Sequence, residues 1–275
     1  RRARVVVRSG PGRGVAPVNL TSAYSATGGA WQAGPGRVYD RLAEVLLDHS
    51  PVPLAGSLVL DLGAGTGAAS RAALARGARV VAMDAAEGML RHDRAVRPPA
   101  AVADALALPF ADRSIDVVAA AFSLNHLDDP VAGLAETRRV LRRAGALLAA
   151  AYAEDDTHPV KQAAEAAAAE LGWSPEPWVV ALKRDAVPHL ATVERAIAAA
   201  DAAGLTATAV HDRVTFPELG PADRVDWRRG MAQLAPFVAT LDADTRHRLR
   251  ERAIELLVDP VPLIRSVIVL TATAR

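Results

Sequence analysis

Three glycines at alternate positions, Gly63, Gly65 and Gly67, follow the run Ser57–Leu62 (SLVLDL) with its acid, Asp61. Glycine takes positive φ and lets a ligand come close to the backbone. In open α/β sheets ligands bind outside the carboxyl ends of the strands. A glycine turn between an expected strand and an expected helix therefore reads as a cofactor site. Gly63, Gly65 and Ala68 also fit the G-x-G-x-x-G/A dinucleotide pattern, and Asp84 stands near the ~20-residue offset of a ribose-binding acid. On these residues alone a nicotinamide dinucleotide stays open. His126 and His158, each after an expected strand, have the side-chain type suited to proton transfer near neutral pH. Either can equally be a structural hydrogen-bonding residue. Asp128, Asp129, Asp155 and Asp156 have the oxygen ligands of a hard-cation site, but acids in loops commonly cap helices, and Asp129-Pro130 reads as a helix start. No metal is expected.

The elements that must position these groups follow from apolar patterning. Val38, Leu42, Val45 and Leu46 have helical spacing within Arg37–His49, which Pro51 and Pro53 stop. Apolar runs suited to buried parallel strands occupy Ser57–Leu62, Arg79–Met83, Ala100–Ala103, Ile115–Phe122 and Ala146–Tyr152. Helices are expected between them at Thr66–Arg76, Ala86–Arg94 and Val131–Arg142. This alternation predicts a doubly wound, mostly parallel sheet. Downstream, helices are expected at Val160–Leu171 and Leu190–Ala203, then a strand at Leu205–Phe216. Two more helices, near Ala222–Leu234 and Asp242–Val258, precede a last strand at Ser266–Ala274. The two late strands, separated by helices at about 217–262, are expected to form an antiparallel edge on a seven-stranded sheet. The insertion between them is read as a helical cap, with Trp227, Met231 and Phe237, and Trp173 and Trp178 before it, as apolar walls for a second ligand or as ordinary core.

Composition sets bounds. The chain has 275 residues, 51% hydrophobic and 23% charged, with formal net charge +1. That is a globular composition, without the basic footprint of a nucleic-acid or anionic-membrane binder. The absence of cysteine excludes disulfides, thiolate-bound zinc and a thiol nucleophile. No apolar run of ~18 residues suggests a membrane span. Residues 1–36, rich in Gly, Pro and Ser with a short strand at Arg4–Arg8, are expected to be a flexible arm before a domain at 37–275. The cytoplasm is the expected location.

The order of the motifs resembles the class I S-adenosylmethionine-dependent methyltransferases. Asp61-Leu-Gly-Ala-Gly-Thr-Gly67 looks like their acid-x-Gly-x-Gly-x-Gly signature. Further likenesses follow in order: Val80–Asp84, Asp104–Phe110, Asp116–Val118 with Asn125–Pro130, and Glu136–Leu148. The chain is most similar to the ubiquinone/menaquinone-methyltransferase-like, small-molecule branch, well over residues 37–152 and only in outline beyond. The resemblance implies a Rossmann-like fold, S-adenosylmethionine as cofactor and a small-molecule acceptor methylated on O, N or C by a monomer or homodimer. It implies Asp84 on the ribose hydroxyls, and Asp104 on the adenine amino group with Ala105 or Leu106 offering an N–H. Met83, Ala85 and Met89 would lie on the adenine faces. Asp61 with Gly63, Ala64 and Gly65 would lie along the methionine part. Tyr24, Trp31, Arg37 and Tyr39 would close over the cofactor, with Arg37 on its carboxylate. His126 and His158 would serve as base if the acceptor must lose a proton. Such a fold can also bind the cofactor without transferring methyl, as a cyclase or regulator.

Overall fold

The computed structural model describes residues 18–258 and 261–274. The strand expected at Arg4–Arg8 lies outside them. The apolar runs form seven strands: β1 (Leu58–Leu62), β2 (Arg79–Asp84), β3 (Ala100–Val102), β4 (Ile115–Ala121), β5 (Leu141–Tyr152), β6 (Leu205–Phe216) and β7 (Leu263–Ala274). Their order in one sheet is β3-β2-β1-β4-β5-β7-β6. β1 to β5 pair in parallel, while β7 runs antiparallel to β5 and β6 antiparallel to β7. The doubly wound sheet with an antiparallel C-terminal edge is thus the one expected. The strand order reverses at β1 and β4, so a ligand crevice opens at their carboxyl ends.

Side chains alternate along each strand and divide the core in two. Val59, Val117, Ala119, Leu148, Val267 and Val269 belong to one apolar layer. Leu60, Val118, Ala120, Leu147, Ile268 and Leu270 belong to the other. Against the first pack α3 (Gly36–Asp48), α4 (Ala68–Ala75) and α7 (Pro159–Ala169), along with α10 (Pro221–Arg229) and α12 (Ala243–Leu256). The second is covered by α6 (Pro130–Val140) and α9 (Val193–Ala202). The remaining α-helices among the described residues are α1 (Val18–Ser25), α2 (Gly28–Ala33), α5 (Glu87–Arg91), α8 (Pro177–Ala181) and α11 (Ala235–Thr240).

Two expectations need correction. Residues 18–36, assigned by composition to a flexible arm, form α1, α2 and the start of α3. They are held where Gly88 of α5 meets α1: a Cβ on Gly88 would stand 1.9 Å from Ser25 O, so only glycine admits the contact. Trp31 is buried in the first core layer. Among the described residues the insertion between β6 and β7 has three helices rather than two. Val225, Trp227, Leu249 and Ala253 sink into the first core layer, so much of it is a structural layer rather than a detached lid.

Candidate functional site

At the carboxyl end of β1 the chain reverses through Gly63 (φ +72°), Gly65 (+53°) and Gly67 (+94°), a conformation that side chains with a Cβ disfavour. The turn is fastened on three sides. Gly63 and Ala64 donate to Met83 O at 2.8 and 2.9 Å. Ser123 donates its hydroxyl to Leu62 O at 2.6 Å. Gly65 N donates to Asp84 Oδ2 at 2.7 Å. The other Asp84 oxygen accepts from Ala86 N at 2.7 Å. Each carboxylate oxygen has a second lone pair, so Asp84 is aimed and still able to accept hydroxyl protons. Burial pushes its carboxyl upward, and the two backbone donors oppose that. Met89 is buried, and its Cε is 3.4 Å from where a Cβ on Gly65 would lie. Its thioether therefore floors the turn.

Asp61 is placed differently from its expected role. It is 1% exposed and lies beneath the turn, accepting from Ser70 Oγ at 2.6 Å. Burial raises its pKa to about 6. It acts on the turn as a buried charge near Asp84 and Arg97 rather than as an open carboxylate. Arg37 is likewise away from the turn. It is largely exposed and donates to Asp223 at 3.1 Å, linking α3 to α10. Arg71 donates to Thr66 O of the turn at 2.8 Å, and a second cation there, which sequence reasoning missed, is Arg97. It donates to Gly65 O at 3.1 Å and Met89 O at 3.2 Å, with Asp61 and Asp84 as its electrostatic partners.

Asp104 is exposed after β3, and its Oδ1 accepts the Leu106 N–H at 2.9 Å. The Leu106 N–H is therefore taken by a local turn and not offered outward. Ala105 is half-buried and Ala85 exposed beside them.

The other half of the site is aromatic. Phe122 follows β4 at φ +60°, an unusual conformation for a bulky residue and one that accompanies functional strain. Its ring sits 5.4 Å from Tyr39 and 4.5 Å from Tyr152. Tyr39 stacks on Trp31 at 4.8 Å, Trp31 on Tyr24 at 5.6 Å, and Tyr24 on His126 at 5.5 Å. Tyr24 also packs against Trp178, Val179 and Ala232, so α1 and α8 share its cover. Burial raises the Tyr24 hydroxyl well above its ordinary range, with Tyr152 and Asp84 adding to it and Arg228 opposing. Tyr24 is thus where the cofactor side meets a cationic group behind Tyr152.

The two histidines separate. His126, in the turn Leu124–His126, is pushed down to about 4 by burial and is neutral at physiological pH. His158 is the N-cap of α7, its Nδ1 accepting from Val160 N at 3.2 Å. That lone pair is the one a base would use, so the structure gives His158 a helix-capping place instead. Asp129 caps α6 through Ala132 N at 2.9 Å. Asp156 is held by Lys161 at 2.8 Å and by Arg265.

The comparisons with known proteins agree with this geometry. Residues 60–149 match the family described as methyltransferase domain. Residues 60–149 thus carry the likeness to a methyltransferase domain. Over 146 residues the chain is 39% identical to a demethylmenaquinone methyltransferase of Clavibacter sepedonicus, covering 51% of this chain and 57% of that one. It therefore spans little more than half the length of that curated relative. Across most of the chain the fold matches two solved structures. One is Haemonchus contortus phosphoethanolamine N-methyltransferase 2 in complex with phosphomonomethylethanolamine and S-adenosylhomocysteine. It has TM-score 0.54 and 18% identity, covering 92% of this chain and 57% of that one. The other is the 4+2 cyclase SpnF, with TM-score 0.51 and 18% identity, covering 85% and 80%. At such identities these likenesses speak for the fold of the methyltransferase domain alone. Among the described residues no helix is long and apolar enough to cross a membrane.

Proposed function

We propose that the chain binds S-adenosylmethionine across the Gly63–Gly67 turn and transfers its methyl group to a small-molecule acceptor, a quinone-like or natural-product compound. The observation that carries this reading is the joined unit of turn and acid, with Asp84 Oδ2 on Gly65 N. The residues present fit the cofactor. Asp84 keeps two lone pairs for the ribose hydroxyls, Met89 offers a soft apolar face, and Arg97 stands at the turn as a cation for the ligand's carboxylate. Tyr24, on α1, roofs the meeting point of the two halves. The name of the Clavibacter relative supports a quinone-like acceptor.

When bound, the cofactor would supply an electrophilic sulfonium methyl, which passes in line to an electron pair of the acceptor as the C–S bond breaks and S-adenosylhomocysteine leaves. The protein's own share is alignment and dryness: the Tyr24, Trp31, Tyr39 and Phe122 rings exclude water and hold a flat acceptor edge-on to the turn. His126 is neutral and only weakly basic, so its share is to line the site and accept a hydrogen bond.

The test is turnover. Incubation with methyl-labelled S-adenosylmethionine and a panel of naphthols and quinols is expected to give labelled product and stoichiometric S-adenosylhomocysteine. Tight binding of the cofactor with no transfer to any acceptor would turn the reading toward a non-transferring member of the fold.

A further inference from the structure

The two outer strands end the sheet differently. β3 is three residues long, with Pro98 and Pro99 just before it, a short edge that pairs poorly with another chain. β6 is twelve residues long, pairs with β7 from Leu205 to Phe216 without a register shift and stands last in the strand order. It has no proline, lysine or bulge, three of the devices that blunt an edge. Among the described residues no strand lies beyond it, so its outward backbone N–H and C=O groups are open to another strand. Thr206, Thr208, Val210, His211, Arg213 and Thr215 are exposed along it.

The strand is also complementary to itself. Directly opposite residues of an antiparallel pair share a face of the sheet, so a two-fold axis between two β6 strands must pass between a residue and its own copy. Axes at Val210 and at His211 each keep eleven residues paired, 205–215 or 206–216. The axis at His211 would set that imidazole against its copy and Asp212 against an apolar valine. The axis at Val210 sets valine against valine, Thr208 against the partner's Asp212, and Arg213 against the small partner's Ala207. No charge then meets its like. His211 is drawn aside to Asp155, 3.3 Å away. Cover alternates along the strand as well. On one face Val214 and Phe216 are buried in the first core layer, while Thr206, Thr208 and Val210 stay open. The axis at Val210 lays the open half of each copy beside the covered half of the other.

We propose that the β6 edge is an interaction surface for a second copy of this chain, and that two copies join their sheets across antiparallel β6 strands with Val210 at the axis. Such a contact is isologous and closes on itself, giving a dimer and not a fibre. The methyl-transfer reading is not needed for it.

The experiment is sedimentation of the full chain over a range of micromolar concentrations, where a species of twice the chain mass is expected. Val210→Asp opposes two carboxylates across the axis and is expected to be a monomer with an unchanged circular dichroism spectrum. Thr208→Asp, opposite the partner's Asp212, is expected to weaken the dimer at least tenfold, and the exchange of Thr208→Asp with Asp212→Thr in one chain to restore it. The chain has no cysteine, so an introduced thiol reports on its own position. Val210→Cys is expected to give a covalent dimer on oxidation with diamide, while Leu74→Cys on α4, at a residue just as exposed (43% for both), is expected to stay a single chain on denaturing electrophoresis. Should Val210→Asp not fold, the two cysteine variants decide. A monomer at every concentration, a dimer unmoved by the folded Val210→Asp variant, or cross-linking as ready through Leu74→Cys as through Val210→Cys overturns the proposal.

Discussion

Asp84 Oδ2 accepts the Gly65 N–H at 2.7 Å, so the acid at the end of β2 and the turn after β1 form one hydrogen-bonded unit. Gly63 is fixed just as firmly from the other side. A Cβ there would lie 2.2 Å from Ser123 Cβ, and its φ is +72°.

Gly63→Ala is therefore expected to be severe. Clash and positive φ together should cost about 2–4 kcal/mol of stability and abolish detectable cofactor binding. Ser123→Gly in the same chain should recover part of the stability, because it removes the clash but not the strain. Urea denaturation of the two variants measures this; full recovery in the double variant would mean that strain at Gly63 is negligible.

Asp61 gives a pH signature. Its carboxyl is raised from 3.8 to about 6 in the folded chain, so between those values the folded state holds a proton that the unfolded state has lost. Stability from this group therefore falls as pH rises from about 4 to about 6, and the loss is complete above that. Asp61→Asn keeps an acceptor for Ser70 and cannot ionise. It is expected to unfold later than wild type at pH 8, by up to about 3 kcal/mol, with the difference shrinking toward pH 4. Calorimetric melts of both proteins across this range check it; a gap independent of pH would contradict the buried charge.

Arg97 stands at the turn, whereas Arg37, which the family resemblance puts on the cofactor's carboxylate, pairs with Asp223 away from it. Arg97→Met should weaken S-adenosylhomocysteine binding roughly tenfold, about the worth of a charge-assisted hydrogen bond. Arg37→Met removes an exposed pair with Asp223 and should change the affinity less than twofold. Titration of both variants decides; the reverse order would move the carboxylate contact back to α3.

His126 titrates near 4, below the working range of a base at neutral pH. The rate of methyl transfer is then expected to show no inflection near pH 6.5, and His126→Gln to retain more than about a tenth of it, since a general base supplies 10²–10⁴-fold. Rates from pH 5 to 8 for both proteins check this. A hundredfold loss in the variant would make His126 a base after all.

Much of this was legible in the sequence because it is written in local patterns. The central strands are apolar runs, and β6 was read to the residue because its partial alternation marks an edge. β5 begins five residues earlier than expected, since Leu141 pairs with Ile115 before an irregularity that takes up Arg142 to Gly145. The segments α1 and α2 were hidden by composition. Their sequences, VNLTSAYS and GGAWQA, have no apolar stripe, and they are held by aromatic stacking and backbone approach instead. Tyr24 and Trp31 were the available signal. Arg97 lies in a loop without periodicity, where an arginine looks solvated. Arg265 had a readable mark, a lone charge inside the apolar stretch Leu263–Ala274, but starting the strand at Ser266 left it out. The histidines show the converse limit: residue type suggested a base, and only packing revealed a cap and a neutral ring.

The most direct measurement is calorimetric titration of S-adenosylmethionine, S-adenosylhomocysteine and NADPH into wild type and Asp84→Ala. Micromolar binding of both adenosyl ligands, weakened at least tenfold in Asp84→Ala with no binding of NADPH, is the predicted result. Binding of NADPH alone would contradict the account and return the glycine turn to the dinucleotide pattern it also fits.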